Sequence, residues 1–315
     1  MKPLLLFALF ASLLPAQSLS PKWEELTAED FVKALKQADS TCVLPFGILE
    51  KHGPSGPIGT DLIDVRYITT KAVQKEYALI FPEYYVGQIF EARHQPGTVA
   101  YSSRLQLHML QETVSEMGRN GCHKIMIASG HGGNTNLLNY FLQTQLDSPR
   151  DYVVYGFSAL GPAFGPGAQL PPAAQPSRPG VDGHAGEIEA AMVMASRPEL
   201  VHPERGGKQS GANLARLDLP AGVFTAINWY AMYPNHYAGD ASGATAARPL
   251  WFSSRPTAWL PRFVPLSRTR CRLVCRKNFS TRPRIRLTLR NKRVSYDRVA
   301  QRFAELWKLE LEASA

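Results

Sequence analysis

The feature of this sequence that most limits its fold is an alternation of strand-like and helix-like segments from about residue 24 to residue 200. Short apolar runs predict buried strands at residues 42–49, 78–81, 124–129 and 152–157. Helical spacing of apolar residues and helix-forming composition predict helices at residues 23–37, 62–76, 104–119, 134–146 and 186–196. Strands that alternate with helices predict an α/β fold, in which a mostly parallel sheet carries helices on both faces.

The first 20 residues are predicted to form a secretory signal peptide. One lysine precedes an apolar core at residues 4–14, and small residues follow it, so we expect cleavage near Ser18 or Ser20. The core is too short to span a bilayer comfortably, although an uncleaved anchor is the alternative. No later segment has the length and apolarity of a membrane helix. We therefore expect an exported protein, periplasmic or extracellular, without membrane contact after cleavage.

The positive charge of the chain is concentrated near its C-terminus. The formal net charge is +9, but residues 248–295 hold 14 of the 35 Lys and Arg residues and no Asp or Glu. The remaining chain carries −5, which argues against nucleic-acid binding by the fold as a whole. We divide the chain into a main domain at residues 21–247, an atypical basic segment at 248–295 and a C-terminal helix at 296–315. The basic segment is either a stretch translated out of frame and disordered, or a genuine insertion that contacts an anionic surface or nucleic acid.

The four cysteines do not form a dense disulfide framework. Cys42 and Cys122 lie in or beside apolar strand-like segments and are predicted to be buried free thiols. Cys271 and Cys275 could pair or be incidental. The spacing of these two pairs argues against a four-cysteine zinc site.

The loop after the first predicted strand carries three side chains of the kind that bind metals. It reads E-K-H-G-P-S-G-P-I-G-T-D over residues 50–61, with Glu50, His52 and Asp61 as the candidate ligands. Loops at the carboxyl ends of strands usually hold the ligands of α/β proteins. Carboxylate plus imidazole suits Zn, Mn or Fe. The loop therefore predicts a metal site at this edge of the sheet.

Three further segments place a histidine beside turn-forming residues. They are G-H-G-G-N with His131, D-G-H-A-G-E-I-E with His184 and Glu189, and E-A-R-H-Q-P-G-T with His94. Each segment also has an ordinary explanation: a hydrogen-bonded histidine, acidic residues beside a helix N-terminus, or a simple turn. No single segment therefore defines a function.

Together and in this order, E-x-H-G-P-x-x-P-x-G-T-D, P-G-T, G-H-G-G-N and H-A-G-x-x-E resemble the creatininase (creatinine amidohydrolase) family over about residues 40–245. The resemblance implies a three-layer α/β/α sandwich with a binuclear site for two divalent cations (Zn, Mn or Fe), in a homo-oligomer of up to a hexamer. The implied reaction is hydrolysis of a small-molecule C–N amide bond, in a cyclic amide, a formamide or a peptide-like substrate, by metal-bound hydroxide. A non-catalytic relative that only binds metal or ligand is the alternative.

The resemblance also implies a role for individual residues. The implied metal ligands, with Asp61 as the bridge, are Glu50, His52, Asp61, His131 and Glu189. His184 matches the histidine beside the substrate, where it could protonate the leaving nitrogen or hydrogen-bond the developing oxyanion. Glu187 is offset by two from Glu189, so we expect it to point elsewhere and stabilise the helix N-terminus.

Two further assignments concern residues that could contact the substrate. Asn134 and the backbone amides of Gly132 and Gly133 are candidates for contact with the oxyanion. His94 could line the pocket or orient a ligand, and packing within a turn is the alternative.

Two departures from the family argue against creatinine as the substrate. Creatinine-hydrolysing members read G-H-Y-E-N where this chain has Gly132 and Gly133, so a ligand of the second metal would have to come from Glu189. Those members also resemble one another in carrying tryptophans on the substrate-side loop, and this chain has none between Asp151 and Asn228. We therefore expect another amide, of the formamide or peptide-like class.

Overall fold

Four parallel strands form the central sheet of the structure, a computed structural model that describes residues 19–159, 176–177 and 182–246. The strands are β1 Thr41–Phe46, β2 Leu79–Ile80, β3 Lys124–Ser129 and β4 Val153–Ser158, in the order β2-β1-β3-β4. Strand β1 pairs with β3 along its whole length, from Thr41 beside Lys124 to Phe46 beside Ser129. The two central strands therefore end side by side.

Helices cover both faces of this sheet. In the described residues they are α1 Ala28–Gln37, α2 Thr60–Val73, α3 Ser103–Arg119, α4 Thr135–Thr144, α5 Glu187–Met194 and α6 Asn228–Met232. Successive strand residues point to opposite faces. Leu44 and Ile127 accordingly pack in one core with α3 and α4, whereas Val43 and Met126 pack on the other side with α2. The predicted α/β fold with helices on both faces is confirmed.

Two glycines at strand ends let helix α2 begin directly against the sheet. A Cβ atom on Gly47 would lie 2.7 Å from the backbone nitrogen of Leu62, and one on Gly130 would lie 2.6 Å from the carbonyl oxygen of Asp61. Any larger residue at either position would push the first turn of α2 outward. The close approach places Asp61 beside the carboxyl ends of β1 and β3.

The largest difference from the predicted elements is at the first helix. Residues 23–37 divide into a 3-10 turn, Trp23–Glu25, and helix α1. The division arises because Thr27 is the N-cap of α1, where its side chain accepts a hydrogen bond from the Asp30 amide. Strand β1 ends at Phe46, so residues 47–49 belong to the loop that leads to Glu50.

The prediction that Cys42 and Cys122 are free thiols is wrong. They form a disulfide, with Cα atoms 5.7 Å apart. The strand register explains the pairing: Cys42 lies opposite Ile125 in β3, and Cys122 lies three residues before Ile125. Both cysteines are fully buried. The bond joins the beginning of β1 to the segment that enters β3.

Helix α5 packs against α2. Ala190 and Val193 form a small apolar cluster there with Ile63. The chain then returns toward the sheet edge through 3-10 turns at Pro203–Lys208 and Ala241–Gly243, with α6 between them. All described residues belong to one compact unit.

Several predicted segments lie outside the described residues. They are nearly all of the signal peptide, the basic segment with Cys271 and Cys275, and the C-terminal helix. In the part of the chain that is described, no helix combines the length and the apolarity needed to cross a membrane.

Candidate metal centre

Glu50 lies at the centre of the candidate site, where the chain leaves β1. Its amide donates a hydrogen bond to the carbonyl of Ile58 at 3.1 Å, which closes the loop, and its side chain is fully buried. Its Oε1 atom lies 2.9 Å from Nδ1 of His131, and its Oε2 atom accepts a hydrogen bond from Nε2 of His236. The buried carboxylate therefore faces two histidines from distant parts of the chain.

His52 brings another imidazole into the same space. Its Nδ1 atom lies 3.3 Å from the carbonyl oxygen of Glu50, which can only accept a hydrogen bond. Nε2 is thus the atom directed at the carboxylates, 3.3 Å from Asp61 Oδ1 and 3.8 Å from Glu189 Oε2. The backbone of the loop fixes the orientation of the ring.

Asp61 and His131 complete the group on the other side of Glu50. Asp61 lies in the first turn of α2, where the helix N-terminus stabilises a negative charge. His131 follows β3 and donates from Nε2 to the carbonyl of Gln88 at 3.0 Å. Its Nδ1 is therefore free to face Asp61, with Oδ2 at 3.2 Å. A backbone acceptor behind an imidazole is the usual support of a metal-binding histidine.

The atoms that meet in this cluster fit a metal site. Glu50 Oε1, His52 Nε2 and Asp61 Oδ2 are buried and have no hydrogen-bond partner within the described residues. Buried polar atoms without a partner are costly, and a cation among these lone pairs would satisfy them. Two groups have ligand atoms within 4.8 Å of one another: Glu50 with His52 and His184, and Glu50 with Asp61 and His131.

The carboxylates of the cluster favour protonated histidines. Burial lowers the pKa of His52, but the charges of Asp61 and Glu50 outweigh burial and raise the pKa to about 10. Burial also lowers the pKa of His131, and the same two carboxylates raise it well above its ordinary value. Burial raises the pKa of Glu50, whereas the charge of His131 contributes to a net value well below normal. A divalent cation would bind in exchange for these protons.

His184 and Glu189 flank the beginning of α5. His184 donates from Nε2 to the carbonyl of Lys51 at 3.0 Å, so its Nδ1 keeps a lone pair, 3.7 Å from Glu189 Oε2. Burial lowers the pKa of His184 to about 3, which keeps this ring neutral near pH 7. Burial also raises the pKa of Glu189 to about 7, and its Oε2 accepts the amide of Ala185 at 2.6 Å.

Glu187 faces away from these histidines. Its Oε2 accepts hydrogen bonds from the amide and the hydroxyl of Ser177, at 2.8 and 2.6 Å. Glu187 therefore joins residues 176–177 to helix α5, and it offers a matched comparison for Glu189 on the same helix.

The two candidate substrate contacts are engaged by other partners. His94 is exposed, with Nε2 2.7 Å from the carbonyl oxygen of Pro234 and its ring edge-on to Tyr230. Asn134 is fully buried, and its Oδ1 accepts the amide of Gln88 at 3.0 Å. His94 thus supports the segment that leads to His236, and Asn134 supports the backbone that holds His131.

Two residues of the site were missed by the sequence analysis. His236 contacts Glu50, and Trp229 donates from Nε1 to His236 Nδ1 at 3.1 Å. The Trp229 ring also lies edge-on to His184, with centroids 6.0 Å apart. The stretch without tryptophan ends at Asn228, and Trp229 follows it directly. The site therefore does contain a tryptophan ring. The run N-H-Y-A-G-D at residues 235–240 could have indicated His236, because it again sets a histidine beside turn-forming residues.

Asp64 is another buried carboxyl that the sequence analysis did not consider. It lies one helical turn after Asp61 and is almost fully buried. Burial raises its pKa well above the ordinary value, and the charges of Glu189 and Asp61 raise it further. The surroundings therefore favour the protonated form of Asp64.

A parallel sheet with carboxylates and imidazoles converging at its carboxyl edge is the arrangement of a metal-dependent α/β enzyme. The family model described as creatinine amidohydrolase matches residues 24–249, more than two thirds of the sequence. The chain therefore belongs to the creatininase family. Proteins of this family are amidohydrolases, and the chain is accordingly a hydrolase that acts on carbon–nitrogen bonds.

Individual relatives are distant. The creatinine amidohydrolase of Pseudomonas putida is 22% identical over 191 residues, which cover 58% of this chain and 74% of that protein. The mycofactocin precursor peptide peptidase of Mycobacterium ulcerans (strain Agy99) is 25% identical over 218 residues, 65% of this chain and 76% of that protein. A solved mutant creatininase of the Zn-Zn type superimposes with a TM-score of 0.60 at 17% identity, covering 79% of this chain and 98% of the other. This likeness confirms the predicted fold, and the family model confirms the predicted family.

Proposed function

We propose that the chain is an exported, metal-dependent amidohydrolase that opens a C–N amide bond in a cyclic amide, a formamide or a peptide-like small molecule. The observation that carries the proposal is the buried cluster at the sheet edge, where the carboxylates of Glu50, Asp61 and Glu189 meet the imidazoles of His52 and His131. Buried carboxylates beside imidazoles are costly without a cation, so the cluster is better suited to binding metal than to stabilising the fold.

Two cation positions follow from the direction of the side chains. One would be held by Glu50 Oε1, Asp61 Oδ2 and His131 Nδ1. His52, Asp61 and Glu189 would hold the other. Zn, Mn and Fe all suit such ligands. When bound, the cations would lower the pKa of water and polarise the amide carbonyl.

Gly133 supports the choice of Glu189 as a ligand. A Cβ atom on Gly133 would lie 2.4 Å from Nε2 of His131, so a larger residue at this position would displace the imidazole. The glutamate that creatinine-hydrolysing members carry at this position therefore has no room beside His131 as it is oriented here. A carboxylate for the second cation has to come from another segment, and Glu189 is close enough to His52 to supply it.

His184 is the group we assign to proton transfer. Its Nε2 hydrogen is committed to the carbonyl of Lys51, which leaves the Nδ1 lone pair as the site that gains or loses a proton. A neutral imidazole at this position can take up a proton at Nδ1 and pass it to the leaving nitrogen. Because the ring of Trp229 lies edge-on to His184, it would border the substrate and exclude water on that side.

The substrate class is narrowed by the same residues. The position of Gly133 still argues against creatinine, whereas the presence of Trp229 removes the argument that the site lacks a tryptophan. Similarity to a peptidase of the family adds weight to a peptide-like C–N bond. We therefore rank formamide and peptide-like amides before creatinine.

Export and self-association are further parts of the proposal. The disulfide between Cys42 and Cys122 supports export, because such bonds persist in oxidising compartments. A homo-oligomer, up to a hexamer, is supported by the exposed apolar side chains of Val223, Phe224 and Ile227, of which Phe224 is 76% exposed.

Hydrolysis assays on metal-loaded protein test the proposal. Lactams, creatinine, N-alkyl formamides and short peptides would be compared with Zn, Mn or Fe present, and the Glu50→Gln variant serves as the control for contaminating activity. We expect turnover of a formamide or peptide amide that is lost in the control variant. Metal binding without turnover of any amide would instead identify a non-catalytic relative.

A further inference from the structure

We propose that His236 is a positioning residue for the metal centre: fixed by Trp229, it holds one oxygen of Glu50 so that only the other oxygen is available to a cation. The inference rests on the proposed function only in taking Glu50 as a metal ligand. It adds a residue on the far side of that ligand, in a segment to which the sequence patterns gave no role.

The hydrogen-bond directions define the arrangement. The indole Nε1 of Trp229 can only donate, so His236 Nδ1 accepts at 3.1 Å and must be unprotonated when the ring is neutral. The hydrogen of His236 is then on Nε2, where it is donated to Glu50 Oε2. Trp229 thus selects the imidazole tautomer that can hold the carboxylate.

The free oxygen of Glu50 points to the cluster. Oε1 lies 2.9 Å from His131 Nδ1 and 3.9 Å from His52 Nε2, and it has no hydrogen-bond partner within the described residues. If Oε2 were also free, the carboxylate could rotate or bind one cation through both oxygens. The bond from His236 therefore favours a single, directed contact and leaves coordination positions open for water and substrate.

The backbone before His236 is held by two independent side chains, one from the metal-binding loop and one from outside it. Lys51 Nζ donates to the carbonyl of Asn235 at 2.5 Å. Gln95 Nε2 donates to the carbonyl of Pro234 at 3.0 Å. His236 itself has a φ of 53°, in the left-handed region that is uncommon for residues other than glycine. A strained residue that is held this firmly is typical of a functional position.

Zn²⁺ affinity of the folded protein, measured by competition with a chromophoric chelator, tests this inference. His236→Asn tolerates the left-handed backbone but is too short to reach Glu50, and we expect it to weaken Zn²⁺ binding about 10- to 100-fold. His236→Gln restores an N–H donor at the right reach and should recover most of the affinity. Trp229→Phe should give an intermediate loss, because the imidazole can then adopt either tautomer.

A spectroscopic measurement separates positioning from a merely structural role. Co²⁺ bound to His236→Asn should show a shifted visible absorption spectrum, because the coordination of Glu50 changes, whereas loss of packing alone would leave it unaltered. Wild-type Zn²⁺ affinity in His236→Asn would overturn the inference. If that variant does not fold, ¹⁵N spectra of the wild-type ring decide: an Nε2-protonated His236 supports the inference, and an Nδ1-protonated ring contradicts it. Equal affinity in wild type and Glu50→Gln would instead refute the metal site itself.

Discussion

Asp61 Oδ1 lies 3.3 Å from His52 Nε2, and Asp61 Oδ2 lies 3.2 Å from Nδ1 of His131, which follows strand β3. A carboxylate with one oxygen on each side of a cluster is suited to bridging two cations. Asp61→Asn should therefore abolish both sites, with metal content by mass spectrometry falling to near zero. Asp64→Asn, one turn later on α2, is the matched control: it replaces a carboxyl whose protonated form is favoured, and it should retain the metal. Retention of metal by Asp61→Asn would exclude a bridge.

The stability of the metal-free protein should fall as the pH rises from 7 to 9. The folded-state pKa of His52 is raised to about 10 and that of His131 is also raised, so the folded state holds more protons than the unfolded state in this range. Stability that depends on such protons is complete below the unfolded pKa and is lost as the pH rises through the folded value. We expect a loss of about 2 kcal/mol in the free energy of unfolding in EDTA, measured by urea denaturation.

The same experiment with Zn²⁺ should remove this slope, because a cation replaces the protons. His52→Gln should make the slope in EDTA shallower, since its amide does not titrate and only His131 still contributes. A metal-free stability that increases from pH 7 to 9 would show that these histidines are neutral in the folded protein.

Glu189 and Glu187 should differ sharply although both are buried near the start of α5. Glu189→Gln removes a carboxylate that lies 3.8 Å from His52 and should lower the metal content by about one ion per chain, with loss of turnover. Glu187→Gln weakens the hydrogen bonds to Ser177 and should reduce thermal stability while both metals remain. The reverse pattern, with metal lost only in Glu187→Gln, would overturn the assignment of ligands on this helix.

Replacing Cys42 and Cys122 by alanine should lower the free energy of unfolding by about 4 kcal/mol, since the crosslink closes a loop of 80 residues. Denaturation curves of the oxidised, reduced and alanine forms measure the effect. The reduced and alanine forms should have similar stability, and both should still bind metal. Alkylation of both cysteines by iodoacetamide in unreduced, unfolded protein would show that the bond does not form.

The part of the site carried by short local motifs could be predicted from the sequence. Glu50, His52 and Asp61 lie on one loop at a strand end, and His131 follows the neighbouring strand, so an α/β pattern already brings them to one edge. The sheet could also be predicted from local patterns. Short apolar runs mark the strands, and apolar residues at helical spacing mark the helices between them.

The parts that were missed depend on long-range geometry. The pairing of Cys42 with Cys122 follows from the register of β1 on β3, which no local pattern contains. His236 and Trp229 approach from the segment around the short helix α6, and the contact of His236 with Glu50 spans 186 residues. For His94 the motif left two alternatives, the pocket and packing within a turn, and its Nε2 atom lies 2.7 Å from the carbonyl oxygen of Pro234.

The binuclear site is tested by the metal content per chain, compared between the wild type, His131→Ala and His184→Ala. We expect about two divalent cations per wild-type chain, a loss of metal in His131→Ala, and retained metal with a reduced rate in His184→Ala. Protein purified without chelators and dialysed against Zn²⁺ or Mn²⁺ would be measured by mass spectrometry alongside amide hydrolysis. Fewer than about one cation per wild-type chain after this treatment, with no turnover, would contradict the binuclear site.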